Sequence, residues 1–295
     1  MKHIFDSSSF VEVSRYLDEA CDWLERISVN YSKTRIAKYK KIYSDLAKLQ
    51  ILDDLEKSSD VYSFPVWMNA SHEVAELMRI HEGLNNLNDA DLVKRLNNSL
   101  KGNEFFSEDK ANRSGRDIGF ELSIASKFAK QNLPIDFGHD ADLKVNLPSG
   151  DIFVECKRLK SRNQIQKRIK EGLTQLRKRY KTSKHPATSK GILVLSISKV
   201  VNSDLGLLEA NDDIELGNKA HAICHDFLKK YQTYWQKSRD SRTMGVAIVL
   251  DCPGVIKSRN MLVTAHQIVM TNTIPTNSDN YPFFMEIARS VFGKA

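Results

Sequence analysis

Cysteine is scarce: the 295 residues hold four, Cys21, Cys156, Cys224 and Cys252, widely scattered and without paired spacing. That excludes a disulfide framework and a Cys-x-x-Cys metal or redox motif, and it fits a reducing compartment, so a cytoplasmic location is expected. No apolar run approaches the ~20 residues of a membrane span. Residues Met1–Asp6 also lack the apolar core of a signal peptide. No membrane partner is therefore expected. A Gly-x-Ser-x-Gly elbow is missing, which argues against a serine hydrolase. No P-loop or Gly-rich dinucleotide fingerprint appears, so an ATP-driven step would need a partner protein. There is no internal repeat, helix-turn-helix or zinc finger. What remains is an apolar content of 41%, enough for a sizeable core, and 27% charged residues with a net charge of +7 and a pI near 9.1. The positive balance modestly favours a polyanionic partner.

The chain divides by pattern. Phe10, Val13, Tyr16, Leu17, Ala20, Trp23 and Leu24 recur at helical spacing, as do Ile36, Tyr39, Ile42, Tyr43, Leu46 and Leu49 after an interruption at Tyr31-Ser32. Polar Asp53–Asp60 and Pro65 read as a break, followed by a third helix through Val74, Leu77, Ile80 and Leu84 and a fourth from Leu92 to Leu100. This segment carries no chemical motif. We read 1–105 as an all-helical region that packs on the rest of the chain, on a protein partner or on a second copy, and 106–295 as the domain that carries the chemistry, with polar Asn98–Arg113 as the boundary.

The second part is organised around 140–160. Two short strands flank a Pro-Ser-Gly-Asp turn, in which Asp151 reads as a turn residue. Side chains alternate along a strand, so Phe153, Glu155, Lys157 and Leu159 share one face and Cys156 points away into the core. Leu143, Val145 and Leu147 form the apolar face of the first strand, with Asp142, Lys144 and Asn146 opposite. If the strands pair, Asp142 comes near Glu155. Two acids and a lysine at a hairpin end are suited to hold a divalent cation for phosphodiester hydrolysis, with the lysine steadying water or phosphate. Upstream, Ile118, Leu122, Ala125 and Ala129 form a helical stripe on which Glu121 lies. A carboxylate there is tolerated only when neutral, paired or metal-bound.

Asp142, followed thirteen positions later by Glu155-Cys156-Lys157, resembles the PD-(D/E)xK nuclease superfamily over roughly residues 112–200. The match is one of pattern rather than identity. Ala141 stands where the family has proline, which leaves Asp140 as an alternative hairpin acid. The resemblance implies a restriction-endonuclease-like α/β fold, with a mixed-sheet core in the order α-β-β-β-α-β. It implies a Mg²⁺-dependent endonuclease, with Mn²⁺ able to substitute, acting on DNA more often than RNA in restriction, anti-phage defence or repair. It places Asp142, Glu155 and Glu121 as metal-shell acids, Lys157 as the catalytic lysine, and Gln175, on the helix after the hairpin, as a positioning residue.

That helix runs to about Tyr180, with Ile165, Ile169, Leu173, Leu176 and Tyr180 as its buried stripe. From Lys157 to Lys190 there are thirteen Lys or Arg against one acid, Glu171, so the rest of the chain is net acidic. A solvated face normally mixes signs. A one-signed face beside two acids suits a phosphate backbone, and Arg158, Lys160, Arg162, Lys167, Arg168, Arg177, Lys178 and Lys181 are its expected contacts. Gly191–Ser198 and Met244–Leu250 read as central strands covered on both faces. A long helix from Leu216 to Tyr234 lies between them, and a strand to Met270 and a helix from Pro282 to Phe292 close the chain. His221, Cys224 and His225 supply at most half of a zinc site, which only Cys252 and His266 could complete; a polar flank on a core helix is the simpler reading. His266 reads as a satisfied strand histidine. A nucleic-acid-binding subunit that keeps the fold and cleaves little is the alternative to the nuclease.

Overall fold

In a computed structural model, residues 9–51, 62–105, 108, 115–148, 150–202, 206–237, 240–259 and 261–293 are described. Both the polar break at Asp53–Asp60 and the boundary at residue 106 fall outside them. The described residues form an α/β structure, with nine helices and a mixed sheet of seven strands.

Four helices come first: α1 (Phe10–Arg26), α2 (Arg35–Ile51), α3 (Phe64–Leu84) and α4 (Ala90–Ser99). Ser9 caps α1 through a capping box with Glu12. The helix α3 begins ten residues before the first stripe residue, Val74, because Pro65 opens it instead of breaking the chain. Proline is well placed at a first helical turn, where its missing N–H has no intrahelical partner anyway. Next come α5 (Gly115–Ala129), β1 (Ile135–Asp136), β2 (Leu143–Val145), β3 (Ile152–Arg158), α6 (Ile165–Thr182) and β4 (Lys190–Ser196). The chain continues with α7 (Ser198–Val201), β5 (Leu208–Ala210), α8 (Asp213–Gln236), β6 (Thr243–Ile256), β7 (Met261–Asn272) and α9 (Tyr281–Ser290).

The sheet order is β1-β2-β3-β4-β6-β5, with β7 pairing β6. The first three strands are antiparallel, β3 runs parallel to β4, β4 and β5 parallel to β6, and β7 antiparallel to β6. The first strand of the hairpin is shorter than its apolar alternation implies, three residues, and the two-residue β1 pairs along its outer edge. At the turn, Gly150 has φ of +129° and a Cβ there would come 2.6 Å from the Thr188 carbonyl, so glycine is required.

The sheet is covered on both sides, as its apolar runs imply. Ile152, Val154, Ile192 and Val194 face a core shared with α1–α5 and α9. The intervening Phe153, Leu193 and Leu195 face a second core with α6 and α8. Each fully buried aliphatic side chain contributes ~1.5–3 kcal/mol, and the alternation fixes which face of β3 meets α6. The helical segment shares the first core with the sheet, through Leu24, Leu84 and Leu96 among others. No described helix is long and apolar enough to cross a membrane.

Candidate active site

β3 is buried along its whole length. On its α6 side, Glu155 and Lys157 follow Phe153 toward the C-terminal end of the strand. Gly172 on α6 makes room for the lysine stem: a Cβ there would lie 2.5 Å from Leu193 Cδ1 and 3.5 Å from Lys157 Cγ. β2 pairs with β3 in the register Leu143↔Val154, which brings Asp142, the residue just before β2, next to Glu155. Lys157 Nζ donates to Asp142 Oδ2 at 2.9 Å, to Glu155 Oε2 at 3.2 Å and to the Cys156 carbonyl at 2.9 Å. Asp142 Oδ2 also accepts from the Cys156 backbone N–H at 2.8 Å. The Cys156 side chain points into the opposite core, as strand alternation requires. Of the two hairpin acids, Asp142 joins this group. Asp140 is 93% exposed at its side chain and lies 4.0 Å from Arg179.

The charges are strongly coupled. Glu155 is fully buried. Burial, and next the Asp142 carboxylate, push its pKa up to about 7 against the pull of Lys157 and Arg179. Burial works against the Lys157 ammonium, but Asp142 and Glu155 more than offset it and its pKa is raised. The second oxygen of Glu155 accepts from Arg179 Nε on α6 at 3.2 Å.

Above this group opens a cleft of about 830 Å³. Asp117, Glu121, Asp142 and Lys157 line one side, and Lys167, Arg168, Lys170 and Lys178 of α6 line the other. Gln175 also faces it, and its buried Oε1 has no hydrogen-bond partner. Glu121 is 5% exposed, lines the cleft and pairs with Arg95 at 3.2 Å. Of the expected phosphate contacts, Arg158, Lys167, Arg168 and Lys178 line the cleft. Arg158 and Lys160 both pair with Asp117, at 3.5 and 3.0 Å. Lys167 and Arg168 flank Glu171, at 4.0 and 3.0 Å. Arg162 donates to the Val200 carbonyl, and Arg162, Arg177 and Lys181 lie outside the cleft wall.

The donor chemistry fits a hard divalent cation in part. Two carboxylate oxygens and one main-chain carbonyl converge on Lys157 Nζ, the oxygen-only set such ions take. Among the described residues, no three Asp, Glu, His or Cys side chains gather closely enough to hold a metal. A cation here would rest on Asp142, Glu155 and the Cys156 carbonyl, with Glu121 at a remove.

Two residues that matter to this geometry were not singled out by sequence reasoning. Arg95 on α4 donates to Glu121 and to the Asp142 carbonyl. Arg179 holds Glu155 and the Asp140 carbonyl. Arg179 belongs to the basic run, but nothing in its spacing separates it from its neighbours. The other constellations fall apart. Cys224 is buried, whereas His221 and His225 are on the exposed face of α8. His266 is bonded on one side only: Nδ1 meets Asp251 at 2.7 Å, and Nε2 is buried without a partner. Asp151 is more than a turn residue; it is 6% exposed and accepts from Ser183, 3.5 Å from Lys144. No family model, curated protein or solved structure matches this chain.

Proposed function

We propose that the protein is a metal-dependent nuclease with a restriction-endonuclease-like core, acting as an endonuclease on DNA. The observation that carries this is that Asp142 and Lys157 line a cleft walled by the basic residues of α6, with Glu155 buried behind them on Lys157. The element order α5-β1-β2-β3-α6-β4 agrees with that core. Asp142, Glu155 and the Cys156 carbonyl would hold Mg²⁺ or Mn²⁺. The ion would supply an activated water and charge stabilisation at the cleaved phosphate. Lys157 then holds the nucleophile or a phosphate oxygen. Gln175 orients a polar group through its unpartnered Oε1, and Lys167, Lys170 and Lys178 hold the backbone without reading bases. Arg179, bonded to the other oxygen of Glu155, keeps that carboxylate aimed at Lys157. A role in restriction, anti-phage defence or repair follows from the resemblance alone.

One observation favours a second reading, a nucleic-acid-binding subunit that cleaves little: both oxygens of Glu155 are already taken by cations, Lys157 and Arg179. The deciding experiment incubates supercoiled plasmid, linear duplex and single strands with Mg²⁺, Mn²⁺ or EDTA. It compares the native protein with a Glu155→Ala, Lys157→Ala double variant. Metal-dependent nicking lost in the variant supports the nuclease. Salt-sensitive binding by both proteins without cleavage supports the second reading. Cleavage surviving in the variant refutes the site.

A further inference from the structure

The loop between β1 and β2, residues 137–142, carries Asp142, yet it lies outside the regular strands. Its carbonyls have to find partners elsewhere. They find them on one side chain. Arg95 Nε donates to the Phe137 carbonyl at 3.1 Å, and Nη2 to His139 at 3.2 Å and Ala141 at 3.1 Å. Nη1 donates to the Asp142 carbonyl at 2.7 Å and to Glu121 Oε2 at 3.2 Å. A guanidinium has five N–H donors in a fixed planar fork, and here every one meets an acceptor. Four of the five acceptors are main-chain carbonyls of this single loop, and the fifth is the carboxylate facing the cleft.

The mount for this fork is rigid. Asp89 caps α4 by accepting from Asp91 and Leu92 N–H, and Leu92 and Leu96 are buried in the core. The loop lies close on α4: a Cβ at Gly138 would come 2.8 Å from Asp91 Oδ2.

We infer that Arg95 is a positioning residue of the active site: it sets Asp142 on Lys157 and Glu121 on the cleft through one guanidinium, and the helical segment thereby completes the site. Its catalytic consequence rests on the nuclease reading, while its positioning of the loop does not. Lysine cannot replace it, because a point ammonium with three donors lacks the fork.

The test uses the full chain with Arg95→Ala and Arg95→Lys. Hydrogen exchange is followed at residues 138–142 and at β3 and β4, Mn²⁺ binding by calorimetry, duplex binding in EDTA, and cleavage across a Mg²⁺ titration. In both variants, exchange in the loop is expected to rise about tenfold or more while β3 and β4 stay protected. Mn²⁺ affinity should fall about 10–100-fold, as when a ligand loses its supporting partner, with a matching rise in the Mg²⁺ needed for half-maximal cleavage. Duplex affinity in EDTA should not move. Should Arg95→Ala fail to fold, Arg95→Lys decides. Unchanged loop exchange and Mn²⁺ affinity in a folded variant overturn the inference. A native protein that binds no Mn²⁺ and cleaves nothing refutes the nuclease reading instead, and the exchange data then still decide whether Arg95 sets the loop.

Discussion

Two clusters of buried charge differ in what surrounds them. In the first, Asp142, Glu155 and Lys157 meet with side-chain exposures of 14, 0 and 6%. In the second, Glu73 on α3 pairs with Arg35 of α2 and Arg116 of α5, with exposures of 7, 4 and 5%. Burial does not tell them apart; electrostatics and access do. Arg35 and Arg116 hold the Glu73 carboxyl well below the usual carboxylate range in spite of burial, while Glu155 is pushed up. The guanidiniums beside Glu73 spend their other donors on the Ser99, Lys101 and Glu104 carbonyls, which ties the helices together. The first cluster opens on a cleft with a basic wall and an unpartnered amide oxygen. A buried ion pair alone is weak evidence for chemistry, because purely structural pairs shift pKa values too; an ion pair that looks onto space sized for a ligand is stronger evidence.

Substitutions at equal burial should therefore separate activity from stability. The largest effect is expected for Glu155→Gln, a loss of about 10³-fold in cleavage, on the order of losing one group that stabilises transition-state charge, with a smaller loss of stability because glutamine keeps the shape and Asp142 still faces Lys157. A fall in folding stability that matched the fall in rate would erase the distinction. Glu73→Ala should do the reverse. It leaves two guanidiniums uncompensated and costs about 3–5 kcal/mol in a urea titration, while activity per folded molecule is unchanged.

A third cluster sharpens the contrast by pH. Asp251 pairs with Arg79 at 3.0 Å and with His266 at 2.7 Å. Burial lowers the His266 pKa to about 4 from the usual 6.5. Between those values the unfolded chain binds a proton that the folded one does not, so stability falls as pH drops from 6.5 to 4. The full window is worth about 3 kcal/mol. His266→Asn should flatten that slope in urea melts taken across the window. The smallest effect is on binding. Changing Lys167, Lys170 and Lys178 together to Gln should reduce the slope of log affinity against log salt by about 2–3, roughly one per phosphate contact. An unchanged slope would separate the basic wall from nucleic acid.

The sequence made some of this legible and hid the rest for physical reasons. Period-two alternation along 152–158 placed Glu155 and Lys157 together and Cys156 apart, because a strand leaves its side chains no other choice. The apolar runs of β4 and β6 announced a sheet covered on both faces. Asp142 was separable from Asp140 only once the register with β3 was known. Arg95 left no trace, since four of its five acceptors are backbone carbonyls and any sequence supplies those. Arg179 was one cation among thirteen. The early start of α3 was masked by reading Pro65 as a breaker when it is a helix opener.

The spacing of the Arg95 contacts has a consequence for synthesis. The guanidinium and its loop partners are 42 to 47 residues apart in the chain, and β3 gains its parallel neighbour only when residues 190–196 have emerged. Chains emerge from the ribosome N-terminus first at ~5–20 residues per second, so α1 to α4 are exposed seconds before the acids can be brought together. The helices are finished first, and Asp142, Glu155 and Lys157 can meet only once β3 and its parallel neighbour have followed them out.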